Sequence, residues 1–241
     1  MFDPSVFTTL AFVTLDEQGD RDFSFARKPG ADVSLRPQEL KLDLIREAKV
    51  FHFGTLSMTD EPARTATIRG VEYARTHGQM VTCDPNLRLS LWDSEREAWQ
   101  WMQWAVAQAD VVKLSREELK FLWDCTPAVG ADRLLDQGAH LVVITQGADG
   151  CLIQNRKASV KLGAPEVEAV DTTGAGDIFG GAMVSRLLEL DQPLDQLNGK
   201  QLRQIARFAT AAAALSTTKS GGIPSVPALD EVETLAADTS W

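Results

Sequence analysis

The run Asp171-Thr172-Thr173-Gly174-Ala175-Gly176-Asp177 joins small polar residues, a Gly-Ala-Gly turn and a closing acid. A strand-like stretch, Val167 to Val170, leads into it. Phe179, Met183, Leu187 and Leu190 follow at spacings of four, four and three, the rhythm of a helix. A glycine-rich turn at a helix start points unpaired backbone N–H groups at one spot, and the helix dipole favours negative charge there. The chemistry implied is anion binding. A passive carboxylate at Asp177 would repel that anion, so Asp177 is read as a group that takes up a proton.

Four further clusters are read as lying just after expected strands, where ligands gather in open α/β sheets. Asp84-Pro85-Asn86-Leu87-Arg88 offers a cationic fork at Arg88 for phosphate or carboxylate oxygens. Asp84 and Asn86 could bond sugar hydroxyls or ordered water, although Asp-Pro-Asn is also good turn chemistry. In Lys113-Leu114-Ser115-Arg116-Glu117-Glu118, Ser115 and Glu118 have the spacing of a capping box. Glu118 also suits a magnesium ion held through water. The glycines of Thr145-Gln146-Gly147-Ala148-Asp149-Gly150 would let a nucleotide phosphate approach the backbone, or simply turn the chain. Lys219-Ser220-Gly221-Gly222-Ile223-Pro224-Ser225-Val226-Pro227 follows a strongly helical segment and cannot itself be helical. It could wrap a ligand, expose carbonyls to a cation, or be a plain C-terminal loop.

The elements that must position these clusters come from periodicity. Thr9 to Leu15 and Asp22 to Phe25 alternate around a turn at Asp16 to Asp20, which predicts a β-hairpin, and Pro29-Gly30 breaks the chain after it. From Glu39 onward, helix and short apolar strand take turns. Strands are expected at Val50–Phe53, Met80–Cys83, Val111–Leu114 and Leu141–Thr145, with Cys151–Gln154 and Ser159–Leu162 as paired edge strands. Helices are expected at Pro62–His77, Glu95–Gln108 and Arg116–Trp123. Two closing helices follow, one after Asp177 and one over Lys200–Leu215. In the Pro62–His77 helix, Ala63, Ala66, Thr67, Gly70, Val71 and Ala74 share one face. The alternation implies an α/β fold whose mainly parallel sheet is covered on both faces.

The 241 residues suit one α/β domain with a sizeable core, and 44% hydrophobic with 24% charged residues is ordinary for a soluble globule. The formal net charge of −10 argues against nucleic acid or an anionic membrane as main partner, but leaves room for a small anionic ligand. Cys83, Cys125 and Cys151 lack metal-type spacing and read as reduced thiols of a cytoplasmic protein. His52, His77 and His140 are too scattered for a zinc site. No membrane span or signal peptide is visible. There is neither a Walker-type Gly-x-x-x-x-Gly-Lys-Ser/Thr nor a full Gly-x-Gly-x-x-Gly with a ribose-binding acid.

The segment from Asp171 to Val184 (DTTGAGDIFGGAMV) resembles the C-terminal signature of the PfkB, ribokinase-like, carbohydrate kinases. The segments TTLAFVTLDEQGDRDFSFARKPGAD, FHFGTLSMTDEPAR and CDPNLRLSLW are similar to the fructokinase subgroup, and the resemblance covers essentially the whole chain. It implies a ribokinase-like three-layer sandwich with a small β lid, divided as a hairpin lid over 1–30 and an α/β kinase core over 31–241. Family members place a strand, a Gly-Gly-rich segment and a helix before the lid. This chain opens at the lid, so an N-terminally truncated fold is expected.

The resemblance also implies roles. Asp177 matches the catalytic base that takes a proton from a sugar hydroxyl attacking the γ-phosphate of ATP. Gly174, Ala175 and Gly176 match the anion hole. Arg88, with Asp84 and Asn86, falls on the sugar and phosphate side. Thr145, Gly147, Gly150, Lys219, Gly221 and Gly222 fall on the nucleotide side. Ser115 and Glu118 match the family's Asn-x-x-Glu magnesium motif, with Ser in place of Asn. Asp171, Thr173 and Ser225 match a monovalent cation site, usually K+. ATP, Mg2+ and K+ are thus the expected cofactors, and ATP and a small sugar the partners. Fructose is the expected acceptor, with 2-keto-3-deoxygluconate as the alternative. A truncated homologue that binds nucleotide or assembles without turnover is the non-catalytic alternative. Leu10, Phe12, Phe23 and Phe25 have little chain to cover them, which predicts that the hairpin packs over the active site or against a second copy in a homodimer.

Overall fold

The computed structural model describes residues 3–15, 21–27, 30–238 and 241. The turn expected at Asp16 to Asp20 lies outside the described residues, as does Pro29. The chain divides into two compact units, Met1–Gln108 and Ala109–Trp241.

In the first unit, β1 (Leu10–Leu15) and β2 (Arg21–Ala26) form the antiparallel hairpin read from their alternation, in register from Leu10 opposite Ala26 to Leu15 opposite Arg21. The buried Arg27 ends it. Its guanidinium donates to Thr59 Oγ1 and to the Leu56 carbonyl, both at 2.7 Å, and to Asp32 Oδ2 at 2.7 Å. Asp32 also accepts from the Thr9 hydroxyl. One buried cation thereby fastens the hairpin to the turn that follows the next strand.

The short helix α1 (Leu42–Glu47) precedes β3 (Val50–Phe53). Helix α2 (Ala63–Thr76) then leads to β4 (Met80–Cys83), which pairs parallel with β3. The buried stripe of α2 is Ala63, Ala66, Gly70, Val71 and Ala74. Such small side chains let the helix lie close on the sheet: a methyl group on Gly70 would sit 2.8 Å from the Phe51 ring. Helix α3 (Glu95–Val106) begins at an N-cap, with Ser94 accepting from the Glu97 N–H. Arg64 joins α2 to α3 through Glu97 at 2.7 Å and lies over the Trp101 ring.

In the second unit, β5 (Val111–Ser115) and β6 (Leu141–Thr145) run parallel, from Val111 opposite Leu141 to Ser115 opposite Thr145. Helices α4 (Arg116–Trp123) and α5 (Pro127–Asp136) connect them. Then β7 (Cys151–Gln154) pairs antiparallel with β6, and β8 (Ser159–Leu162) antiparallel with β7. Helices α6 (Ala175–Leu190), α7 (Gly199–Thr217) and α8 (Leu229–Ala237) complete the unit. In α6, Phe179, Met183 and Leu187 are buried, as their spacing requires. Each contributes about 1.5–3 kcal/mol of burial free energy. Val232 of α8 packs on Phe208, Ala211 and Ala212 of α7.

Several expectations need correction. Val167 to Val170 is not a strand. The segment is held instead by the Val170 and Asp171 N–H groups, which donate to the Thr217 carbonyl at 2.7 and 3.0 Å, and Val170 is 64% exposed. β7 is not an edge strand, because it pairs with β6 on one side and β8 on the other, and all four of its residues are buried. Three helices, not two, close the chain, and α5 was not anticipated. The signal for α5 was Thr126-Pro127, an N-cap with proline at the first helical position. Finally, the Lys219–Pro227 cluster follows helix α7 rather than a strand.

Candidate active site

The Gly-Ala-Gly turn opens α6. Gly174 is its N-cap, with φ 79° and ψ −3°, a left-handed conformation that glycine adopts without steric cost, and no side chain caps the helix. The Ala175 N–H goes to the Thr172 carbonyl (3.2 Å), and the Ile178 N–H to the Gly174 carbonyl (2.9 Å). Asp177 stands in this first turn with an exposed side chain.

Two neighbours hold the turn. Asp171 accepts from the Thr173 N–H (Oδ1, 2.9 Å) and from the Gly221 N–H (Oδ2, 2.8 Å). One carboxylate therefore ties the turn to the loop after α7. The two segments touch closely, since a methyl group on Gly174 would lie 3.3 Å from Gly222 Cα. In that loop, the buried Ser225 donates both its N–H (3.1 Å) and its hydroxyl (2.7 Å) to the Gly222 carbonyl. The second neighbour lies below: Lys113 of β5 is 6% exposed, and its ammonium packs against Gly176.

A cavity of about 590 Å3 adjoins the turn. Thr172, Ala175, Gly176 and Phe179 line it on one side, and Thr145, Gly147, Ala148 and Gly150 on another. Ala164, Pro165, Val167, Ala213 and Ala214 add apolar wall, with Glu166, Thr210 and Thr217 among the polar lining residues. The Thr145–Gly150 turn is braced from outside by Arg116, which donates to Gln146 Oε1 (3.1 Å) and Asp149 Oδ2 (2.6 Å). At Gly150, φ is 87° and a methyl group would lie 2.0 Å from the Leu162 carbonyl, so only glycine fits. A volume of this size with mostly apolar walls and few polar groups suits a nucleoside.

The expected residues do not all share this cavity. Lys219, Gly221 and Gly222 are not among its lining residues. The exposed Lys219 ammonium lies 3.7 Å from Glu231 of α8. Ser115 and Glu118 form the anticipated capping box: the Ser115 N–H donates to Glu118 Oε2 (2.7 Å), and the Glu118 N–H to Ser115 Oγ (3.1 Å). Glu118 is buried, and no group of three or more His, Cys, Asp or Glu able to cage a metal occurs among the described residues.

In the first unit, Asp84, Asn86 and Arg88 follow β4 as expected. Asp84 is buried and its N–H donates to the Phe53 carbonyl (3.2 Å), while Asn86 has φ 53°. The Pro85 carbonyl accepts from both the N–H (3.0 Å) and the hydroxyl (2.7 Å) of Thr55. Arg88 Nη1 donates to the Leu87 carbonyl at 2.9 Å. The turn is thus fixed on the end of β3.

Residues 3–229 match the model of the pfkB family carbohydrate kinases. The chain belongs to the pfkB family. The kinase is 41% identical to a probable fructokinase-4 of Arabidopsis thaliana, over 97% of its own length and 72% of the relative's. Its structure is similar to that of a Xylella fastidiosa fructokinase with bound ATP (TM-score 0.85, 31% identity, 97% of this chain and 74% of that one). It is also similar to a Vibrio cholerae fructokinase in a form binding fructose, ADP and calcium ion (TM-score 0.86, 31% identity, 98% and 75%). The fold is accordingly ribokinase-like α/β with a mainly parallel sheet. No helix among the kinase's described residues is long and apolar enough to cross a membrane. Sequence reasoning had not foreseen the cavity walls from Ala164 to Ala169 and from Thr210 to Thr217. They carry no motif, only mostly small residues brought together by packing.

Proposed function

We propose that the kinase transfers the γ-phosphoryl group of ATP to a primary hydroxyl of fructose, giving ADP and fructose 6-phosphate. One observation carries this reading: the glycine turn that opens α6 and the Thr145–Gly150 turn line the same nucleoside-sized cavity. Adenosine occupies that cavity, and the phosphate chain points to the turn. Backbone N–H groups at Gly174, Ala175 and Gly176 stabilise the charge that develops on the transferring phosphoryl group. Asp177 takes the hydroxyl proton as the sugar oxygen bonds to phosphorus and the bond to the ADP oxygen breaks. Arg88, Asp84 and Asn86 are assigned to the sugar and its phosphate. The loop with Lys219, Gly221 and Gly222 flanks the nucleotide.

Mg2+ neutralises phosphate charge in such reactions and keeps most of its own waters. Glu118 is assigned the water-mediated role: it is a carboxylate, and one of its oxygens accepts from the Ser115 N–H at the start of α4. Asp171, Thr173 and Ser225 are assigned to a monovalent cation, K+. A carboxylate has roughly four lone-pair sites, so the two N–H bonds accepted by Asp171 are compatible with a cation beside it. We infer a cytoplasmic location, which the unbridged Cys125 and Cys151 support.

The test is fructose-dependent release of ADP. Asp177→Asn is expected to lower kcat by about 10²–10⁴, the usual loss on removing a general base. Turnover near that of the parent would refute the assignment. A panel including 2-keto-3-deoxygluconate distinguishes an acid-sugar kinase. ATP binding without fructose-dependent ADP release would instead identify a non-catalytic homologue.

A further inference from the structure

The cavity beside the glycine turn is walled mainly by side chains that distinguish ligands only by size. Alanine, proline, valine and phenylalanine supply apolar contact, and the glycines only backbone. Glu166 is the exception, the one ionisable side chain among the described residues that line it. Its segment is strung between two fixed ends. At one end Leu162 and Gly163 lie against Gly150, where a methyl group would come within 2.0 Å of the Leu162 carbonyl. At the other the Val170 and Asp171 N–H groups are bound to the Thr217 carbonyl. The buried Pro165, whose ring fixes φ, precedes Glu166 and limits how the backbone turns there. Glu166 itself is exposed, so it stands where the cavity meets solvent.

Two carboxylates of the adjoining turns are already engaged. Asp149 pairs with Arg116 at 2.6 Å, and Asp171 accepts from the Thr173 and Gly221 N–H groups. Among the described residues no hydrogen bond or ion pair engages Glu166. The oxygens of a carboxylate only accept, with about four lone-pair sites between them. A polyphosphate offers them no donor and carries charge of the same sign, so Glu166 does not suit the phosphate end of a nucleotide. A nucleoside does offer donors: its ribose hydroxyls and, in adenine, the exocyclic amine.

We propose that Glu166 is a specificity-determining residue for the phosphoryl donor: its carboxylate accepts a hydrogen bond from a neutral donor of the nucleoside, a ribose hydroxyl or the exocyclic amine of the base. The inference rests on the reading of this cavity as the nucleoside site, and it assigns Glu166 no proton transfer. Apolar walls hold any base of the right size, whereas an acceptor set against one donor disfavours analogues that lack it. Because Glu166 keeps contact with water, the discrimination is modest.

Calorimetric titration of the full chain tests this with adenosine, 2′-deoxyadenosine, 3′-deoxyadenosine, purine riboside (which lacks the amine) and tripolyphosphate. Wild type is compared with Glu166→Ala and Glu166→Gln. The Ala change is expected to weaken adenosine binding about five- to tenfold, the scale of one hydrogen bond to a charged group. Gln keeps an acceptor oxygen and is expected to weaken it less. Wild type should bind at least one analogue more weakly than adenosine, and that analogue should be less sensitive to the Ala change. A deoxynucleoside in that place identifies a ribose hydroxyl as the partner, and purine riboside identifies the amine. Tripolyphosphate binding should hold or tighten. In turnover, the KM for ATP rises in the Ala variant while that for the sugar holds. Adenosine affinity unchanged by the Ala change, or no adenosine binding by wild type, would overturn the proposal. Equal sensitivity of all three analogues and adenosine would overturn it too, and a parallel loss of tripolyphosphate binding would make Glu166 a packing residue. Failure of the kinase reading looks different: wild type would release no ADP on adding sugar, yet adenosine would still bind in a Glu166-dependent way.

Discussion

At Gly174 the backbone is left-handed, and a side chain would also approach Gly222 Cα to 3.3 Å. Both facts penalise any other residue. Gly174→Ala is expected to cost about 1–3 kcal/mol through backbone strain alone. For a chain of this size each kcal/mol lowers Tm by roughly 2–4 °C. A thermal melt unchanged from wild type would contradict the left-handed turn. Cys151 offers a second check. Burial pushes its thiol up to about 11, and the weak contact with Thr210 at 3.8 Å pulls the other way without offsetting it. Only the thiolate reacts readily with alkylating agents. Native protein treated with iodoacetamide near neutral pH should therefore be labelled at the half-buried Cys125 before the buried Cys151. Mass spectrometry of the digested protein would show the order. The residue scale was also the most legible in the sequence for Asp171 and Gly174, because a positive φ or a local N–H acceptor leaves its mark on residue type. Lys113 lies in an apolar strand, but nothing within a few residues of it tells where its side chain ends.

Among the elements, the hairpin is secured chiefly by side chains. Arg27 holds Thr59, the Leu56 carbonyl and Asp32 together. Partial burial pushes the Asp32 carboxyl up. Hydrogen bonds from Arg27 and Thr9, with the Arg27 charge, outweigh that, and the net pKa lies below the ordinary value. A carboxyl lowered in the folded state stabilises above its unfolded pKa, and that contribution disappears as pH falls through the folded value. The hairpin anchor is therefore expected to hold at neutral pH and to loosen below about pH 4, near the ordinary Asp value. Hydrogen exchange of β1 and β2 amides, compared between wild type and Asp32→Asn, would measure this. Equal protection in the two proteins at neutral pH would dismiss the anchor. The elements themselves were mostly readable. β3, β4, β6, β7, β8 and α4 have the boundaries their apolar patterns suggested. Val167 to Val170 shows the limit of such patterns: two valines in four residues promise a strand, but the segment finds its hydrogen bonds at the end of α7.

At the scale of the whole molecule, a formal charge of −10 coexists with a helix start at Gly174 whose partial positive charge favours anions locally. The two are compatible because helix ends and buried cations act over a few ångströms, while net charge is screened within about 8–10 Å in physiological salt. The hairpin face carries Leu10 and Phe12, 51% and 55% exposed, while the Phe23 side chain lies outside the described residues. Of the two expectations for this face, packing over the active site or against a second copy, the second is checked by mass in solution. Sedimentation should then show a dimer that Phe12→Asp converts to monomer, and a monomeric wild type at high concentration would exclude the pairing. The chain spans 72% of the length of the Arabidopsis relative it matches. The kinase reading is therefore tested on this chain itself, by its own turnover.

What the amino-acid order decided alone was local. The glycine turn, the acid that closes it, the capping box and most strands follow from steric and hydrogen-bonding rules acting within a few residues. Tertiary structure decided which of these pieces meet. Ala164, Thr210 and Thr217 become walls of one cavity, and Lys113 reaches Gly176 from a strand more than sixty residues earlier. Small apolar residues and the long side chain of a lysine have many places to pack, and only the closed fold selects one.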